Sequence, residues 1–221
     1  MTKPRRIVLF SGMGGDKRMF GPTRLPGFDL VTPDHLDSEE GESLADFAER
    51  TADHHDLSAD DVVGGVSFGG MLASQISARR KLAGAILLAS CHQTRRLPAG
   101  YRVVERFSRV IPDALLGLRS WPPLVRGRFS PIDEKNAEIM IEMARGYSPL
   151  MLRRFGRMIV EWPGVETFSC PMLAVHGDGD RILPPSCIDA HLVLPAAGHA
   201  FTLTHPEPIN AAILEFVRRL A

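Results

Sequence analysis

The sequence predicts an α/β fold: a doubly wound, mostly parallel sheet of about six strands, with a helical segment inserted before the fifth. Three observations lead there. Four apolar runs without polar alternation each end in a Gly- or Ser-bearing turn. Helix-period segments separate most of these runs, and residues 93–165 interrupt the rhythm with no strand-like stretch. Continuous apolar runs suit strands buried on both faces, as in parallel sheets covered by helices, and strand–helix alternation builds such a sheet.

In chain order the strands are IVLF (7–10), FDLVT (28–32), VVGGV (62–66), AILLAS (85–90), MLAVHG (172–177) and HLVLP (191–195), the second and last being the weakest signals. The helices are SLADFAERTADHH (43–55), FGGMLASQISARR (68–80) and PINAAILEFVRRL (208–220). In the last, Ile209, Ile213, Phe216, Val217 and Leu220 fall on one face. Within 93–165, prolines at 98, 112, 122, 123, 131, 149 and 163 punctuate helix-like stretches such as EKNAEIMIEMARG and SPLMLRRFGRMIVEW. The domain reading is therefore a core of 1–92 and 166–221 with a helical insertion at 93–165.

Composition narrows the function classes. A chain of 221 residues with 44% hydrophobic and 24% charged residues suits one soluble domain with a proper core. No apolar run approaches the roughly 20 residues of a membrane span. The basic start MTKPRR precedes an apolar run too short for a signal peptide. Cys91, Cys170 and Cys187 are odd in number and lack metal-type spacing, so they read as free thiols in a reducing compartment, and the expected location is cytoplasmic. Net charge is zero, but residues 93–165 carry 13 Lys/Arg against 7 Asp/Glu, which marks the insertion as a separate unit. No nucleic-acid motif accompanies that charge.

The chemistry sits around Gly65-Val66-Ser67-Phe68-Gly69, a G-x-S-x-G pattern. Roughly one chain in nine of this composition would carry the pattern by chance, so the five residues alone decide little. Their setting decides more: a buried strand runs into the motif and a helix leaves it. A strand–turn–helix corner lifts the serine Oγ above the sheet edge. It also leaves the Phe68 N–H unpaired at a helix N-terminus, where it can bind a developing oxyanion. A serine nucleophile needs a base, and the base an orienting acid. HGDGDRILPP supplies Asp178 and Asp180 past one strand, and LPAAGHAF supplies His199 past the next. Loops at the carboxyl ends of parallel strands line one edge, where these groups can meet.

With these residues the chain resembles the α/β-hydrolase fold superfamily, in an esterase-like form. His176-Gly177-Asp178-Gly179-Asp180-Arg181-Ile182-Leu183-Pro184 is similar to the family's H-G-x-x-D-x-x-x-P, which implies Asp180 as the triad acid. Gly198-His199 with His205-Pro206-Glu207 is similar to its G-H…H-P-E ending, which implies His199 as the base. Ser11-Gly12-Met13 stands where the family has an H-G-x oxyanion loop, which implies the Met13 N–H as second donor beside that of Phe68. The resemblance runs from residue 7 to 220 and makes residues 93–165 the family's cap. Three departures accompany it: Ser11 replaces a common histidine, the chain begins at the family's third strand, and only 18 residues separate Asp180 from His199, too few for the usual helix between the last strands. The expected activity is cofactor-free hydrolysis of a small-molecule ester or thioester through an acyl-enzyme. C–C bond hydrolysis, perhydrolysis or a receptor-like protein with little turnover are the alternatives on the same triad.

Other candidates have plainer readings. Asp53-His54-His55-Asp56 reads as a solvated run rather than a metal site, and Gly12-Met13-Gly14-Gly15 lacks the spacing of a phosphate loop. His205 reads as packing or capping at the start of the last helix, with the base role as its alternative, and Met140, Met143, Met151 and Met158 read mostly as cap core, with contact to an apolar substrate as the alternative for some. The eight arginines of 95–128 read as surface charge, with attraction of an anionic acyl substrate as the sharper alternative.

Overall fold

A computed structural model describes residues 6–97 and 120–220. Six parallel strands form one sheet: β1 (Arg6–Phe10), β2 (Asp29–Val31), β3 (Asp61–Val66), β4 (Gly84–Leu88), β5 (Met172–Gly177) and β6 (Leu192–Leu194), in the spatial order β2-β1-β3-β4-β5-β6. The order reverses at β1, so the sheet is doubly wound. Each strand end falls within a few residues of its sequence expectation. The one informative extension is β3, which begins at the charged Asp61.

Alternation across the sheet explains why the runs are continuously apolar. Ile7 and Leu9 of β1, Val62 and Val66 of β3, Ile86 and Leu88 of β4 and Leu173 and Val175 of β5 join one core. That core is closed by Phe201 of the short α6 (Phe201–Thr204) and by Ile209, Ile213 and Val217 of α7 (Pro206–Arg219). Val8, Phe10 and Val63 point the other way, into a second core with Phe47 of α1 (Leu44–His54) and Met71, Leu72 and Ile76 of α2 (Phe68–Arg79). Successive strand residues face opposite sides, and both sides are covered.

Between β4 and β5 lie α3 (Pro122–Phe129), α4 (Glu134–Gly146) and α5 (Pro149–Glu161), an arrangement consistent with a cap. Val125, Met140, Ile141 and Met143 of α3 and α4 join the first core, while Phe155, Met158 and Ile159 of α5 join the second. The cap methionines also dock on core backbone: Met143 Sδ accepts from Asp16 N, and Met151 Sδ from Ser38 N, both at 3.4 Å. Arg154 donates to Ser38 O, and Arg157 to Glu42 O at 3.0 Å, so these two arginines fasten α5 to the segment before α1. Arg95 pairs with Glu166, Arg96 with Asp189 and Arg126 with Glu134. Exposed pairs of this kind contribute little to stability. Arg102, Arg106, Arg109 and Arg119 lie outside the described residues.

Two plain readings are refined. His55 is half-buried with its ring 5.7 Å from that of Phe10, so the Asp53–Asp56 run is solvated on one side only. His205 occupies the N-cap position of α7 without a side-chain cap bond; its Nδ1 instead meets Thr204 Oγ1 at 2.8 Å. Among the described residues no group of acidic, His or Cys side chains is arranged to hold a metal ion, and no helix is long and apolar enough to cross a membrane.

Candidate active site

Ser67 stands at the corner between β3 and α2 with φ 53° and ψ −115°. A positive φ is costly for a side chain with a Cβ, and such strain persists only where the surroundings enforce it. Here the enforcement is visible. Ser67 N donates to Leu88 O at 2.9 Å, and Ser67 O accepts from Ser90 Oγ at 2.6 Å and from the N–H groups of Gly70 and Met71. The two motif glycines allow the corner to close: a Cβ on Gly65 would lie 2.6 Å from the carbonyl carbon of Gly69, and one on Gly69 would lie 2.5 Å from Ser11 O. Ser90 has no motif to announce it; a serine ending a buried strand beside the elbow was its only sequence signal.

Asp180 and His199 are brought together. Asp180 follows β5 and is buried, while Asp178 is exposed and bonds through its backbone N–H to Leu194 O. Asp180 Oδ1 accepts from the N–H groups of Ile182 (2.8 Å) and Leu183 (2.9 Å). Its Oδ2 accepts from His199 Nδ1 at 2.6 Å. Beneath it the fully buried His176 donates Nε2–H to Leu183 O at 2.7 Å and lies 3.4 Å from Oδ2. Burial pushes the Asp180 carboxyl upward, but the charge of His199 and the hydrogen bonds from His176, His199 and Leu183 outweigh it, and the group is held well below the usual carboxylate range. With Asp180 engaging Nδ1, His199 has Nε2 left for other chemistry. Phe129 at the end of α3 packs its ring 6.1 Å from that of His199, so the cap lies over this pair.

The loop after β1 lies against the elbow: a Cβ on Gly12 would sit 3.4 Å from Ser67 Cβ. Ser11 points its hydroxyl back into the loop, onto Gly15 O at 3.1 Å. The N–H groups of Met13 and Phe68 have no partner among the described residues. Ser67, Asp180 and His199 follow β3, β5 and β6, at the same carboxyl edge of the sheet. Ser67 Oγ itself makes no hydrogen bond to a described residue, and serine–base bonds are often long before substrate binds. None of these groups lines the 480 Å³ cleft between α2 and α5, whose Gln75 and Trp162 side chains bond each other at 2.7 Å.

Comparison with known proteins agrees with this architecture. Residues 7–212 match the profile of the "Alpha/beta hydrolase family". The chain matches no curated protein significantly by sequence. Among solved structures it is similar to a thermophilic esterase from Thermogutta terrifontis (21% identity, covering 98% of this chain and 90% of that one, TM-score 0.75). It is also similar to a hydrolase from Oleispira antarctica (15%, 97% and 91%, TM-score 0.76) and to an esterase from Exiguobacterium antarcticum (16%, 99% and 93%, TM-score 0.75). At these identities the likeness establishes the fold.

Proposed function

The chain belongs to the alpha/beta hydrolase family, and on that premise we propose that it is a serine hydrolase that cleaves a carboxylic ester or thioester of a small molecule. The observation that carries this reading is the 2.6 Å bond between buried Asp180 and His199 at the sheet edge that also carries the strained Ser67 corner. Asp180, ionised and anchored by two backbone N–H groups, holds His199 with Nδ1 protonated, so Nε2 carries the lone pair. His199 Nε2 takes the Ser67 proton as Oγ attacks the acyl carbon, and the Asp180 charge stabilises the imidazolium that forms. The N–H groups of Met13 and Phe68, without a partner among the described residues, are the donors suited to the developing oxyanion. His199 then gives its proton to the departing alkoxide or thiolate. Water, deprotonated by the same imidazole, releases the acid and restores Ser67.

The test is turnover of p-nitrophenyl and coenzyme A acyl esters of graded chain length. Steady hydrolysis that disappears in Ser67→Ala supports the reading. A single burst without turnover favours a receptor-like protein on the same triad, and no release of any kind contradicts hydrolase chemistry.

A further inference from the structure

His35 lies in the segment between β2 and α1, outside every sequence motif, yet it reaches the oxyanion loop. Its Nε2 is 2.9 Å from Ser11 O. A carbonyl can only accept, so Nε2 carries the proton. Its Nδ1 is shut off from solvent and has no partner among the described residues, although the residue as a whole keeps intermediate exposure. The ring is packed among phenylalanines: stacked on Phe10 at 6.1 Å, edge-on to Phe68 at 5.4 Å and to Phe155 of α5 at 5.3 Å, and 6.4 Å from Phe47. Burial lowers its pKa to about 4, offset in part by the Ser11 carbonyl, so the ring is neutral at ordinary pH.

An unpaired buried nitrogen is a poor choice for stability, since phenylalanine would fill the same aromatic site without it. What phenylalanine cannot supply is the bond to Ser11. Peptide planes make that bond consequential. In a trans peptide the C=O and N–H point in opposite directions, so Gly12 O, held by Gly15 N at 3.0 Å, turns the Met13 N–H away from the loop turn. That bond and the Ser11 hydroxyl bond to Gly15 O close the loop on itself. The His35 bond ties the preceding peptide to a separate segment of the core. The same ring touches Phe68, whose backbone carries the other candidate donor.

We propose that His35 is a positioning residue for the oxyanion hole: its Nε2–H fixes the Ser11 carbonyl, and through it the aim of the Met13 N–H, while its ring buttresses Phe68. This rests on the serine-hydrolase reading above. The matched pair His35→Gln and His35→Met tests it, because the two side chains are similar in length but only glutamine carries a donor; His35→Phe is the second donor-free variant. For an ester that the wild type turns over, His35→Met and His35→Phe should lose about 10- to 100-fold in kcat, somewhat less than removal of a whole oxyanion donor. KM should stay within about threefold and the thermal midpoint of the phenylalanine variant should not fall. His35→Gln should recover most of kcat. Wild-type kcat in the donor-free variants overturns the inference. So does a parallel loss of kcat and thermal midpoint without rescue by glutamine. A wild type inert to esters and to fluorophosphonates contradicts the hydrolase reading itself, which keeps the two failures distinct.

Discussion

Two buried carboxylates stand at opposite edges of the same sheet, and the contrast between them separates a structural pair from the proposed catalytic one. Asp61 opens β3 at the amino edge, fully buried. It accepts from Arg6 Nε (2.9 Å) and Nη2 (2.8 Å) and from Ser58 N (2.9 Å) and Oγ (3.0 Å). Asp180 follows β5 at the carboxyl edge, with two backbone N–H groups and His199 Nδ1 as its donors. Burial pushes both acids upward, and hydrogen bonds and opposite charge hold both below the usual range. The difference is the partner. Arginine never releases its proton, so the Arg6–Asp61 pair has one state and joins β1 to β3. An imidazole can take and give a proton, which is what the acyl transfer proposed for the Asp180–His199 pair requires. The strained Ser67 corner lies on the edge with that pair.

Substitution should therefore break different properties at the two edges. The largest effect is expected for Asp180→Asn, which should cut kcat by about 10⁴-fold, the scale of an acid-to-amide change in a triad, with the fold retained by circular dichroism. Asp178→Asn, at an exposed position, should cost less than about tenfold. The opposite ranking would move the acid two residues upstream. Next comes Arg6→Met, which leaves a buried carboxylate without its cation. Urea unfolding should show a loss of about 3 kcal/mol, the low end for breaking a buried pair because Arg6 keeps some contact with water. Activity per folded molecule should remain within about twofold. A large drop in kcat with unchanged stability would erase the distinction between the edges.

Acid unfolding sharpens the contrast. Asp61 and Asp180 are both lowered from 3.8, so their contribution is complete above about pH 4 and is lost only as pH falls through their folded values. His35 is lowered from 6.5 to about 4. Between those values the unfolded chain binds the extra proton, so stability should fall as pH drops from about 6.5 to 4. Burial dominates that shift, with Ser11 O and Asp34 opposing it and His55 adding to it. Urea midpoints measured from about pH 8 down to about pH 1.5 should show both phases, and His35→Phe should flatten the upper one. A residual slope is expected from His55, which burial also lowers. An unchanged upper phase in His35→Phe would mean that His35 is not buried neutral.

These contrasts also explain what sequence could reveal. Most elements were legible because the central strands β1, β3, β4 and β5 are apolar on both faces and helices such as α1, α4, α5 and α7 carry an apolar stripe; EKNAEIMIEMARG is a helix over its full length. The candidate residues Ser67, Asp180 and His199 stood out because each follows a strand within a local pattern. Asp61 was not, because a charged residue at the head of an apolar run reads as its boundary, and its partner lies 55 positions away. His35 was invisible for the same reason in stronger form. PDHLD has no periodicity, and the ring's neighbours come from β1, α1, α2 and α5. Local order leaves a local trace, while a contact assembled from four distant elements leaves none.

The central claim is that the carboxyl edge presents one activated serine. Intact-mass analysis after treatment with a fluorophosphonate, followed by peptide mapping, tests it most directly. The account predicts a single adduct on Ser67, absent in Ser67→Ala and formed much more slowly in Asp180→Asn, while Arg6→Met labels at the wild-type rate once folded. A wild type that takes no adduct, or an adduct that persists in Ser67→Ala, would contradict it.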